Sequence, residues 1–124
     1  MRKEANMDKI DLKERTKRFA LMVINIVEML PKGRTIDVLS RQLLRSGTSV
    51  GANYRAACRA KSTADFISKM GIVEEEADET IYWMELIIEA GFSRQRELNS
   101  LLDEANQILA ITVSSIKTAR KSKR

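Results

Sequence analysis

The 124-residue sequence contains no histidine, one cysteine, one proline and one tryptophan. Without an imidazole, Ser-His and Cys-His activation of a nucleophile is unavailable, and so is the Glu-x-x-His ligand set of di-iron four-helix proteins. One thiol, Cys58, leaves too few soft ligands for a zinc site and excludes an internal disulfide. None of the five glycines follows a strand in a phosphate-cradling pattern, which removes the common nucleotide-binding loops. No apolar run approaches the roughly 20 residues that span a bilayer. The opening Met1-Arg2-Lys3-Glu4-Ala5-Asn6 also lacks the apolar core of a secretion signal. These absences together predict a cytoplasmic protein with no catalytic centre, cofactor or metal and no place in a membrane.

What remains is 44% hydrophobic and 31% charged, the composition of a helical globular chain. Residues 1–124 are expected to form one domain, with 1–10 and 117–124 as flexible basic ends. Period and punctuation divide the chain into four helices. The first runs from about Asp11 to Leu30 and stops at Pro31-Lys32-Gly33. Thr35 reads as the cap of a second, from about Ile36 to Arg59. Ser62 or Thr63, with Asp65 close behind, starts a third that Gly91 closes, and Ser93 caps a fourth from about Arg94 to Ala119. Connections this short make consecutive helices antiparallel neighbours, so the expected fold is an all-α, up-down-up-down four-helix bundle.

The third helix carries a narrow apolar stripe (Phe66, Met70, Val73, Ala77, Ile81, Met84, Ile88), and the fourth carries another from Leu98 to Ile116. The first helix is broader: its apolar residues cover an arc of roughly 200°, twice what a surface helix needs. A second strip on the third helix, including Trp83 and Ile87, adds to the excess. Either one protomer has a generous core, or Phe19, Met22, Ile26, Trp83 and Ile87 form an interface between copies in a homo-oligomer.

Charge is segregated along the chain. Residues 34–61 hold six bases against one acid, residues 62–90 one base against eight acids, and the end from Lys117 to Arg124 five bases and no acid. Projected on one continuous helix, Arg34, Arg41, Arg45, Arg55 and Arg59 fall within roughly 80°. Guanidinium groups on one rib suit bidentate contact with phosphate or carboxylate. Two partners are compatible with the rib: the backbone of RNA or DNA, with Lys117, Arg120 and Lys121 adding attraction, or the acidic face of the third helix. Glu75 and Glu79 are four residues apart but lack an imidazole, and read as solvated. Cys58 reads as a buried structural thiol.

The second helix is interrupted by Ser46-Gly47-Thr48-Ser49-Val50-Gly51-Ala52-Asn53-Tyr54. Glycine inside a helix costs on the order of 1 kcal/mol, so Gly47 and Gly51, four apart, predict either a break in the helix or close approach of a neighbouring backbone. This run, the preceding Leu39-Ser40-Arg41-Gln42-Leu43-Leu44-Arg45, then Ser62-x-x-Asp65-Phe66-Ile67-x-Lys69-Met70, and finally Glu74-x-Glu76-Ala77-x-Glu79-Thr80-x-Tyr82-Trp83 resemble the bacterial four-helix bundle protein family. That family includes proteins encoded in intervening sequences of large-subunit rRNA and is related to the accessory variability protein of diversity-generating retroelements. The resemblance spans about residues 10–116 and implies a homopentamer of four-helix protomers without a cofactor. It further suggests nucleic acid, or a protein such as a reverse transcriptase, as a partner. Where the family usually has glutamate-glycine after the small-residue segment, this chain has Cys58-Arg59-Ala60, which makes that end more basic.

Overall fold

In the computed structural model, which describes residues 2–92 and 94–122 with side chains from residue 12, the chain forms four helices. These are α1 (Arg2–Met29), α2 (Arg34–Cys58), α3 (Thr63–Glu89) and α4 (Gln95–Ser122). Each helix packs against its sequence neighbour, and α1 closes the ring against α4 along the narrowest of the four seams. The all-α four-helix architecture expected from the sequence is therefore the observed one. No helix among the described residues is long and apolar enough to cross a membrane.

The helix ends show why the chain breaks where it does. Ser62 caps α3, its hydroxyl accepting from the Asp65 amide at 3.0 Å, while the Asp65 carboxylate accepts from the Lys61 amide at 3.1 Å. At the other end Gly91 takes a left-handed φ of 85°, which lets its amide reach the Ile88 carbonyl and the Phe92 amide reach that of Ile87. The start of α2 differs from expectation. Thr35 lies inside the helix, and the cap position is Gly33, whose amide donates to the Asp37 carboxylate at 3.3 Å. Ser93, read as the cap of the fourth helix, lies outside the described residues. The carbonyl of Arg94 takes up the Leu98 amide instead. The segments expected as flexible ends are helical from Arg2 and up to Ser122, while Lys123 and Arg124 lie outside the described residues.

The core is a heptad-like stack. On α1 it comprises Leu12, Thr16, Phe19, Val23, Ile26 and Leu30, alternately three and four residues apart. Phe19 is 1% exposed, Ile26 4% and Ile87 0%, so these three side chains are already covered within one protomer and leave no surface for a second copy. Their assignment to an oligomer interface is corrected: α2 and α4 cover much of the broad α1 arc, while Ile24 and Met29 on it stay exposed. On α3 the fully buried residue of the last turn is Ile87, with Ile88 only partly covered. Buried hydroxyls are satisfied within their own helices, Thr80 donating to the Glu76 carbonyl and Thr112 to that of Ile108.

The glycines of α2 set the spacing to α1. A Cβ at Gly47 would stand 2.8 Å from Val23 Cγ2, and one at Gly51 would stand 3.2 Å from the Thr16 carbonyl oxygen. Thus α2 is continuous through its small-residue run, and α1 is the helix that approaches it.

Candidate nucleic-acid interface

Arg34, Arg41, Arg45 and Arg55 lie on α2, with Arg59 at its C-cap, and all five are exposed on the side away from the buried Ile36, Leu43, Val50 and Tyr54. The helical repeat produces this arrangement: Arg34, Arg41 and Arg55 are separated by multiples of seven, and Arg45 and Arg59 by fourteen. Arg34 and Arg55 are 21 residues apart, about 31 Å at 1.5 Å per residue.

The rib is not uniform. Arg45 crosses to α3, with nitrogens 2.7 Å from Glu79 and 3.4 Å from Glu76. Hydrogen bonding to Glu79, then to Glu76, raises its pKa and holds the guanidinium charged. Arg34, Arg41, Arg55 and Arg59 make no ion pair among the described residues. One rib position thus answers the acidic face of α3, and four remain turned to solvent.

Lys117, Arg120 and Lys121 are exposed on the last two turns of α4. Helices α2 and α4 are not neighbours in the ring, so these cations share the α2 C-terminal end of the bundle with Arg55 and Arg59 but not a continuous helix face. Met22 and Trp83 are half-buried against the core, and Trp83 Nε1 lies 3.4 Å from Glu79 Oε1. Tyr82 stands outside it, edge-on to Trp83 at 5.1 Å between ring centres.

Two features escape sequence reasoning. Arg15 of α1 grips Glu104 of α4 with two bonds of 2.8 and 3.0 Å and also reaches Gln107, bridging the narrowest seam of the bundle. Its partner is 89 positions away, so no local pattern announces it. Cys58, expected among buried small residues, is exposed, because it occupies the last turn of α2, one residue beyond the buried Ala57. No group of acidic or cysteine side chains among the described residues is placed to hold a metal ion.

The sequence matches the family described as 23S rRNA-intervening sequence protein over residues 8–114. Among solved structures it is similar to a protein of unknown function from the S23 ribosomal protein family of Bacteroides thetaiotaomicron VPI-5482. The two are 38% identical with a TM-score of 0.81, over 88% of this chain and 97% of that one. No curated protein matches it. With that span of sequence and that agreement of backbone, the chain belongs to the 23S rRNA-intervening sequence protein family.

Proposed function

We propose that this protein is a non-enzymatic, homo-oligomeric RNA-associating protein that holds the RNA backbone against the outward arginines of α2. One observation carries the reading: Arg34, Arg41, Arg55 and Arg59 are exposed along a single rib and make no ion pair among the described residues. Their charge is left for an outside partner, and a row of guanidinium groups fits phosphate oxygens spaced along a polynucleotide. The family is named for 23S rRNA intervening sequences, which makes RNA the polyanion to test first, and repetition of the rib in an oligomer would add avidity without new sequence.

Changing Arg34, Arg41, Arg55 and Arg59 together to Gln is expected to weaken RNA binding at least tenfold with the oligomer intact. The dependence of log affinity on log salt should flatten by about 0.9 for each phosphate that the variant no longer neutralises. Unchanged affinity overturns the reading. Loss of binding on truncation after Ile116 alone would assign the activity to the basic end of α4.

A second reading, an assembly scaffold or accessory subunit whose partner is a protein such as a reverse transcriptase, draws on the pairing of Arg45 with Glu76 and Glu79. It predicts that Arg45→Gln, rather than the four substitutions above, dissolves the oligomer and leaves any RNA affinity unchanged.

A further inference from the structure

An open groove of about 1190 Å³ lies between the middle of α1 (Leu12, Lys13 and Arg15), the α2–α3 connection and the last turns of α4. We propose that this groove seats a single-stranded RNA segment, with phosphates held by its lysines and hydroxyls and a base laid on its apolar floor. The proposal rests on the RNA reading above and adds a second site separable from the α2 rib.

Size argues first. Enclosed small-molecule sites run to roughly 300–1,000 Å³. This groove is open to solvent rather than enclosed, and its α4 wall, Ala110 to Ser122, extends about 18 Å at 1.5 Å per residue. An extended chain fits such a trough better than a compact metabolite does.

Charge argues second. No carboxylate lines the groove among the described residues. Lys13 on α1 and Lys61 in the α2–α3 connection are exposed lining residues and make no ion pair among the described residues. The nearby Asp65 is already taken by Lys69 at 2.8 Å and by the Lys61 amide. A polyanion therefore meets attraction from two walls and, among the described residues, no acidic lining side chain.

The hydroxyls argue third. Helical serine and threonine either return their proton to a carbonyl three or four residues back or point it to solvent. Here Thr16, Ser46, Thr48, Thr80 and Thr112 do the former. Ser114, Ser115 and Thr118, which line the groove, make no hydrogen bond through their side chains among the described residues. They stand as donors for phosphate or ribose oxygens. Phe66 and Ile111, half-buried beside Tyr54, supply a floor on which a base stacks.

Cys58 makes the site testable on the unaltered protein, since it is the sole thiol, exposed, and part of the lining. The probes are a fluorescein-labelled oligouridylate and an RNA duplex of the same length, measured by anisotropy. Saturating oligouridylate is expected to slow the reaction of Cys58 with a disulfide reagent at least fivefold. Lys13→Gln with Lys61→Gln, and separately Ser114→Trp, should each weaken oligouridylate binding at least tenfold while duplex binding changes less than twofold. Should Ser114→Trp fail to fold, the lysine pair and the thiol measurement decide alone. An unprotected Cys58, or single-strand affinity unmoved by the lysine changes, overturns the groove. Equal competition by oligoglutamate overturns it too, since charge alone would then explain binding. Duplex binding that depends on the α2 arginines would leave the RNA reading standing in each of those cases. Oligouridylate binding that ignores the α2 arginines but needs the lysines would keep the groove and remove only the α2 rib as the RNA-holding surface.

Discussion

A methyl group added at Gly47, Gly51 or Gly71 would meet three different surroundings, although all three glycines lie inside helices. At Gly47 it would drive into the buried Val23, at Gly51 it would press on the Thr16 carbonyl, and at Gly71 nothing lies within 4 Å. Helical glycine is worth roughly 0.5–1 kcal/mol less than alanine, so Gly71→Ala should stabilise the fold by about that amount. Gly51→Leu should cost roughly 1–3 kcal/mol, because the atom it meets is backbone and cannot rotate away. Urea unfolding of both variants checks the pair. A destabilised Gly71→Ala, or a Gly51→Leu that unfolds like the parent, would contradict the assigned packing.

At the scale of the element, α3 is fixed at both ends by residues the sequence displays. Hydrogen bonding from Lys69, reinforced by the Lys61 amide, holds the Asp65 carboxyl below its ordinary 3.8. Folding is then linked to proton release at this residue, so its contribution to stability is complete well above pH 3.8 and is lost as pH falls through the lowered folded value. Asp65→Asn should remove that part of the acid dependence while leaving the slope near neutrality unchanged, as followed by urea midpoints between pH 2 and 7. Ser62, Gly91 and Pro31 are legible because caps and breakers act on their own neighbours. The α2 start is not, because an Asp37 side chain, four residues on, holds the Gly33 amide. Phe19, Ile26 and Ile87 read as interface residues because periodicity reveals which side of a helix is apolar, not how far its neighbours wrap around it. The rib itself is legible as a repeat of seven, but the diversion of Arg45 is not, because Glu76 lies 31 positions away.

For the whole molecule, the apolar residues left outside the core carry the assembly question. Leu21 is 54% exposed and Ile24 40% on α1, and Val38 is 52% exposed on α2. Light scattering at micromolar concentration is expected to give a multiple of 14.1 kDa, with five copies implied by the family resemblance. Leu21→Glu with Ile24→Glu should lower that mass while circular dichroism stays helical. A monomeric parent protein would remove the oligomer from the proposed function. Whatever the copy number, the distribution of charge has a kinetic consequence. Residues 34–61 carry a net +5 and residues 62–90 a net −7 on adjacent helices, and among the described residues Arg45 alone bridges α2 to the acids of α3. The protomer is therefore an electric dipole whose separation of charge the overall +5 conceals. A polyanion diffusing toward α3 is turned away and one nearing α2 is drawn in, so orientation is selected before contact. Salt should accordingly slow capture before it hastens release, and the protein's selectivity among anions of equal charge would lie in the direction from which each can arrive.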